Sequence, residues 1–298
     1  MQKKTDPMNR YRWANVQTVV IAGALAGLLL LVGSLVLGRT GMILLGTVGA
    51  ISVWRASRMA GNLRPSDARE LRYPEAPWLF DLVERLCTAA QISATPRLYF
   101  SASPVMNAVT FGSRQEPAIL VTAGLINSLS EREVAGVLAH EVAHIQHNDL
   151  HLFRLAETVR AMTGFLSNVG WFSLLFFFPI MLLSGVAIPP GLIALLFGAP
   201  LFSVLLQLAL LRTREYAADA RAAVLTGDPL GLASALRTID QAGSSPWRQL
   251  LGSPRAEQGG WLRTHPQTGE RVRRLMELSP RTAGGRSRAW WHYGEILT

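Results

Sequence analysis

Cysteine is almost absent from this 298-residue sequence, which contains only Cys87. One thiol cannot form a disulfide within the chain, so a disulfide-stapled scaffold is excluded, and we expect no disulfide partner. Charge is scarce as well, because Asp, Glu, Lys and Arg make up 16% of the residues, against about 25% in ordinary soluble domains. With a mean hydropathy of +0.24, this shortage of charge indicates contact with lipid, and Cys87 is expected to be a small buried side chain.

Acidic residues are fewer than basic ones, 20 against 29, and the formal net charge is +9. An excess of this size is compatible with nucleic-acid binding or with the basic flanks of membrane segments. The basic residues collect beside the apolar stretches, and the aromatic residues form no stacking pattern. We therefore expect a lipid bilayer as a partner and no nucleic acid.

Charged residues are missing altogether from three long stretches, 13–38, 40–54 and 161–211. Arg39 alone separates the first two, within a small-residue segment that predicts a turn, and a Pro-Pro-Gly turn at Pro190 divides the third. Residues 13–38 are long enough to span a hydrocarbon layer of about 30 Å at about 1.5 Å per residue. The sequence predicts four transmembrane helices in two hairpins.

The orientation of these segments follows from their basic flanks. Lysine and arginine cluster before the first and third crossings and after the second and fourth, whereas the two outer turns hold one arginine between them. The positive-inside rule then places both termini and all the polar sequence in the cytoplasm. We expect a multi-pass protein of a bacterial-type plasma (inner) membrane.

Five segments result from this division. Residues 1–59 form a basic N-terminal segment with the first membrane hairpin, and residues 161–211 form the second hairpin. Residues 60–160 and 212–278 make up the two parts of one polar domain, and residues 279–298 are predicted to be a flexible tail. Within the polar domain, the pattern predicts a helix over 78–90, strands over 97–100 and 118–121, and a helix over 230–239.

The most informative motif is His140-Glu141-Val142-Ala143-His144. Ser130 followed by Glu133 is a capping-box pattern that starts a helix just before it. Residues four apart share a helix face, so His140 and His144 can direct two imidazoles at one Zn²⁺ ion, with Glu141 beside them as a non-ligand. The alternative is a solvated helix face that happens to carry histidines.

A catalytic zinc site needs a third protein ligand. A metzincin would place glycine at position 147 and histidine at position 150, where this chain has His147 and Leu150. Glu215, on a later helical segment that returns to the same predicted membrane face, is the better choice. His147 and His151 are expected to continue the zinc helix as polar contacts, and Asp149 near its end is assigned no chemistry.

Asp219 follows Glu215 by four residues, so the two carboxylates share one helix face. Asp219 can accept the second N–H of a ligand imidazole and so fix its orientation. A surface ion pair with Arg221 or Arg212 is the simpler alternative.

Together these motifs resemble those of the HtpX-type integral-membrane zinc peptidases, relatives of the CAAX prenyl proteases. Two more segments are similar to family motifs, namely residues 107–112 with the sequence Asn-Ala-Val-Thr-Phe-Gly and residues 264–271 with a His-Pro…Arg pattern. Val109, Thr110 and Gly269 depart from the usual residues. The resemblance implies a mainly α fold with a small β-sheet, that is, a gluzincin-like catalytic domain plus four transmembrane helices in two hairpins.

The resemblance also implies roles for individual residues. One zinc ion per chain is held by His140, His144 and Glu215, and Glu141 acts as general base and acid. The late motif points to His265 as a donor to the oxyanion, although a residue before proline can equally be a helix-entry position. Arg271 is its neighbouring stabiliser or plug. Asn107 and Ala108 would bind an extended substrate at a strand edge, where the alternative is an ordinary loop.

The function expected from the sequence is a zinc metalloendopeptidase that uses a zinc-activated water. Its partners would be protein or peptide substrates, and the resemblance implies membrane or misfolded proteins cleaved at the cytoplasmic membrane face. Two alternatives remain open. One is a non-proteolytic zinc-binding membrane scaffold, and the other is a zinc hydrolase acting on a lipid-type substrate.

Overall fold

The computed structural model describes residues 7–58, 67–112, 115–149, 190–243 and 268–279, with isolated positions between 152 and 183. Contacts between Cα atoms divide the chain into two units. Unit one joins Met1–Ala14, Met59–Leu150 and Arg212–Thr298, and unit two joins Asn15–Arg58 to His151–Leu211. Residues 280–298 of the predicted tail lie outside the described residues, as do residues 166, 169–174, 176–182 and 184–189 of the third charge-free stretch.

Unit two contains most of helix α1 (Pro7–Arg58). Within α1, Gly38 adopts φ +64°, a left-handed conformation that glycine tolerates without steric cost. A Cβ placed on Gly46 would lie 3.1 Å from Leu30 Cδ2, whereas 16 residues of straight helix measure about 24 Å. The chain therefore reverses direction between Leu30 and Gly46, around the segment where the sequence predicts a turn.

Exposed apolar side chains are concentrated in unit two. It carries 19 of the 25 exposed large hydrophobic side chains among the described residues, including Val19, Ile43, Leu201 and Phe202. Exposed apolar side chains concentrated in one part of a protein are typical of a surface that contacts lipid or another protein. Among the residues that the structure describes, no helix meets the combined length and hydropathy that a membrane crossing requires. The four predicted crossings stay a prediction.

A four-stranded sheet forms one layer of unit one. It comprises β1 (Arg69–Glu70), β2 (Arg97–Ser101), β3 (Ala108–Gly112) and β4 (Pro117–Thr122), in the order β1-β2-β4-β3. Strand β2 runs parallel to β4, and β1 and β3 run antiparallel to their neighbours. All six residues of β4 are buried, since the strand lies between β2 and β3. Ile119 and Val121 belong to the main core, whereas Ala118 and Leu120 pack with side chains of the neighbouring strands. Strand β3 forms an edge of the described sheet.

Helices pack on one face of this sheet. A short 3₁₀ turn (Tyr73–Glu75) precedes α2 (Pro77–Ala90), and α3 (Ala123–Ser128) leads into α4 (Glu131–His147). Residue Cys87 on α2 is buried in the core, and this burial raises the pKa of its thiol to about 11. The expectation that Cys87 is a small buried side chain is confirmed.

Three later helices have defined bounds, namely α5 (Pro190–Thr226), α6 (Pro229–Gly243) and α7 (Thr268–Leu278). Helix α6 begins beside Asp228, whose carboxylate accepts a hydrogen bond from the Gly231 N–H at 3.1 Å. Helices α4 and α6 approach closely at Gly136, where a Cβ would lie 2.8 Å from the Leu232 backbone nitrogen. This close approach fixes α4 within the core.

The start of α4 is as predicted, and its end is not. Ser130 caps the helix, and its N–H donates to the Glu133 carboxylate at 2.9 Å. The expectation that the helix continues through His147 to His151 is wrong, because Asn148 adopts φ +57° and ends it after His147. Asparagine tolerates this left-handed conformation better than most residues, so it is a common helix terminator.

Candidate metal centre

Two imidazoles of α4 converge on one point. The residues His140 and His144 are both buried, and their Nε2 atoms lie 3.1 Å apart. Their four-residue spacing places both rings on the same helix face. The Nδ1 atoms face away from this point and contact carboxylates. In the neutral imidazoles the Nδ1–H donates to the carboxylate, which leaves each Nε2 with a lone pair that faces the shared point.

The carboxylate of Glu215 on α5 completes the cluster. Its Oε2 lies 3.5 Å from His140 Nε2, and its Oε1 lies 3.5 Å from His144 Nε2. One ligand atom from each of the three residues lies within 4.8 Å of the others. Ligands at about 2.0–2.1 Å from a tetrahedral Zn²⁺ would lie about 3.4 Å apart. The observed spacings fit such an ion.

Asp219 and Arg271 support the first histidine, and we call His140, Asp219 and Arg271 the first arm. The His140 Nδ1 lies 3.0 Å from Asp219 Oδ1, and Arg271 donates to both Asp219 oxygens, at 2.8 and 2.7 Å. Arg271 also approaches Glu215 Oε2 at 3.2 Å. The alternative of a surface pair with Arg221 or Arg212 is wrong, since Asp219 is buried against Arg271.

A second arm supports the other histidine and consists of His144, Asp149 and Arg214. The His144 Nδ1 donates to Asp149 Oδ2 at 2.7 Å, and the Arg214 Nε donates to Asp149 Oδ1. Asp149 is fully buried just beyond the end of α4. Helical spacing alone gives Asp149 no role, because it does not reveal the turn at Asn148 that brings the carboxylate back toward His144.

Buried charge in this cluster favours a divalent cation. Four carboxylates and two guanidinium groups are buried together, so neutral imidazoles would leave two negative charges uncompensated. Burial alone lowers the pKa of a histidine, yet the carboxylates raise the pKa of His144 to about 10 and that of His140 above its ordinary value. For Asp219, burial alone would raise the pKa of the carboxyl group, but the charge of Arg271 outweighs burial and lowers this pKa to about 2. The cluster thus attracts positive charge.

Glu141 lies beside the three ligand residues without joining them. Its side chain is buried, and the Thr110 hydroxyl on β3 donates to its Oε2 at 2.6 Å. This contact follows from the packing of α4 against β3. Thr110 is one of the positions where the sequence departs from the resembled family, and nothing in the sequence pattern indicated that it contacts Glu141.

The proposed substrate residues lie at the start of β3. Ala108 begins the strand, and Asn107 precedes it and exchanges hydrogen bonds with Thr122. The carboxamide oxygen Oδ1 of Asn107 is buried and accepts no hydrogen bond from the described residues. Such a group is suited to contact a ligand.

One further histidine in the described part of the chain lies outside the group of three ligands. The side chain of His147 is buried at the end of α4, its Nδ1 lies 3.9 Å from Asp149 Oδ2, and burial lowers its pKa to about 4. It is not among the grouped ligands. His265 and His151 lie outside the described residues.

Comparison with known proteins places this centre in a family. The sequence of residues 74–279 matches peptidase family M48. The chain is 33% identical over 285 residues to the protease HtpX homolog of Persephonella marina, covering 89% of this chain and 98% of that one. It is 34% identical over 293 residues to the protease HtpX homolog of Ralstonia nicotianae, covering 90% and 97%.

A solved structure is also similar. The crystal structure of S. mikatae Ste24p matches with a TM-score of 0.47 and 21% identity, over 89% of this chain and 66% of that chain. The match to the family covers more than two thirds of the sequence and includes the helix with both histidines and Glu215. The chain belongs to peptidase family M48.

Proposed function

We propose that this protein is a zinc-dependent membrane endopeptidase that hydrolyses peptide bonds of membrane or misfolded proteins at the cytoplasmic membrane face. The observation that carries the proposal is the buried His140, His144 and Glu215 cluster with Glu141 beside it, in a chain of family M48. The names of the relatives, protease HtpX homologs, support peptide-bond cleavage.

A zinc ion held by these three residues would lower the pKa of a bound water to near 7 and polarise the substrate carbonyl. Glu141 accepts the proton of the attacking water and returns it to the departing amine. His265 donates to the oxyanion, as the resemblance implies. Asp219 and Asp149 hold the two ligand imidazoles in the required tautomer, and Arg271 stabilises Asp219 in its charged form.

Strand β3 would bind the substrate. It forms an edge of the described sheet, so an extended peptide can pair with its backbone, with Asn107 and Ala108 at one end. Backbone pairing needs no sequence-specific pocket and suits a range of protein substrates. The zinc-binding scaffold is less well supported, since a structural zinc site is commonly closed by four protein ligands and this cluster groups three. The names of the relatives favour a protease over a hydrolase of lipids.

The decisive variant is Glu141→Gln. It should keep its zinc, because Glu141 is not a ligand, and lose at least about 100-fold in casein cleavage, because no base accepts the proton. The matched control is Glu131→Gln, the same substitution at an exposed position on the same helix. Full proteolysis by Glu141→Gln would refute the mechanism, and cleavage of lipid esters but not casein would favour the lipid hydrolase.

Membrane location is proposed from the charge-free stretches and the exposed apolar side chains of unit two. A reporter fused after Thr298 or inserted near Pro65 should report the cytoplasm, and one inserted at Pro190 should report the outside. Reversed signals would overturn the orientation, and three cytoplasmic signals would contradict the crossings.

A further inference from the structure

Strand β3 has one side chain that contacts the proposed general base. Thr110 is the central residue of β3 and pairs with Ile119 of β4. Residues alternate between the two faces of a strand, and here Ala108, Thr110 and Gly112 are buried while Val109 and Phe111 are half-buried. Thr110 therefore projects inward, toward α4.

The contact between Thr110 and Glu141 is short and buried. The hydroxyl Oγ1 lies 2.6 Å from Glu141 Oε2 and 3.3 Å from the Glu141 carbonyl oxygen. A hydroxyl has one proton to donate, and an ionised carboxylate forms the shorter and stronger bond. Residues Thr110 and Glu141 are 7% and 3% exposed, so water competes little for this bond.

We propose that Thr110 is a positioning residue for Glu141, so that the strand proposed to pair with the substrate also orients the general base. This inference rests on the proposed function. The hydroxyl holds Oε2 and thereby restricts the rotation of the carboxylate, which leaves Oε1 in a fixed place to take the proton. A peptide paired with β3 then contacts the backbone of Thr110, and the side chain of Thr110 positions Glu141.

The test compares Thr110→Val with Thr110→Ser in zinc-loaded protein. Valine keeps the shape and the strand preference of threonine and removes the hydroxyl, whereas serine keeps the hydroxyl. Thr110→Val should lower kcat by about 10–100-fold with KM, zinc content and the thermal midpoint unchanged. Thr110→Ser should restore most of the rate. Thr238→Val, at a half-buried position on α6, is the matched control.

A second measurement does not depend on turnover. A hydroxamate that binds the metal also needs a correctly placed glutamate to accept its proton, so its affinity should fall about tenfold in Thr110→Val and recover in Thr110→Ser. Unchanged kcat and hydroxamate affinity in Thr110→Val, or equal losses in both variants with a lower thermal midpoint, would overturn the inference. A wild-type protein that binds hydroxamate but cleaves no protein would instead refute the proposed function.

Discussion

Each of the two arms of the metal centre holds one ligand imidazole in place, but the two arms are built from different parts of the chain. Both connect a ligand imidazole to a buried aspartate and then to a buried arginine. The first arm draws its parts from three helices, because Asp219 lies on α5 and Arg271 on α7. In the second arm Asp149 comes five residues after His144, just past the end of the same helix.

This difference shows which parts of a site a sequence pattern can reveal. Asp219 was predicted because its four-residue spacing from Glu215 gives a helix face with two carboxylates. Asp149 was missed because its position depends on the backbone turn at Asn148 rather than on helical spacing. The turn at Asn148 positions Asp149 through a local change of backbone conformation, whereas Asp219 is held by a contact with the distant Arg271.

The largest effect is expected where the two arms meet, at Glu215, which approaches both Nε2 atoms. Glu215→Gln should abolish proteolysis and weaken zinc binding, because the cluster loses a charged ligand. His147→Ala should retain substantial activity and zinc, since His147 is not among the grouped ligands. Zinc per protein, measured by elemental analysis, would reject the assignment if the two variants ranked in the opposite order.

Replacing one aspartate at a time measures how much each arm contributes to zinc binding. Asp219→Asn and Asp149→Asn should each lower zinc affinity by about 10–100-fold, because an imidazole loses its charged partner. The first loss should be larger, since Arg271, released from Asp219, remains 3.2 Å from Glu215 and competes with the metal for it. Competition with a chelator measures both affinities.

The exposed pair of Asp240 and Thr268 offers the control, and Asp240→Asn should bind zinc as the wild type does. If Asp149→Asn also matched the wild type, the second arm would have no part in metal binding.

The smallest effect concerns an ion pair outside both arms, between Arg132 and Asp228. Hydrogen bonds from Arg132 outweigh burial and lower the pKa of Asp228 below its usual 3.8. The pair therefore stabilises the fold above about pH 4, and this contribution is lost as the pH falls through the lowered native pKa. Asp228→Asn should lower the thermal midpoint by about 2 °C at pH 7 without changing zinc affinity.

The difference in midpoint between Asp228→Asn and the wild type should vanish in acid. A constant difference from pH 7 down to pH 3 would show that the carboxylate charge is not the cause.

Much of unit one could be predicted from local patterns. The helix predicted over 78–90 runs from Pro77 to Ala90, and the predicted strands extend by only one or two residues to Ser101 and from Pro117 to Thr122. The capping box at Ser130 gave the start of α4. These elements have signals within a few residues of their own ends, in periodicity or in capping side chains.

The features that escaped prediction depend on contacts between distant segments. The hydroxyl of Thr110 contacts Glu141 only because β3 packs beside α4, 31 residues later in the chain. Arg271 pairs with Asp219 across 52 residues. A single sequence carries no local signal for such pairs, and the resemblance supplied a role for Arg271 without naming its partner.

The wide separation of these residues also sets an order of events during synthesis. His140 and Arg271 are 131 residues apart, which a ribosome translates in roughly 7–26 s at about 5–20 residues per second. The motif with both histidines therefore leaves the ribosome long before α7 exists. A nascent chain holds the ligands of α4 without the guanidinium that lowers the pKa of Asp219, so the complete centre forms only once nearly the whole chain has been made.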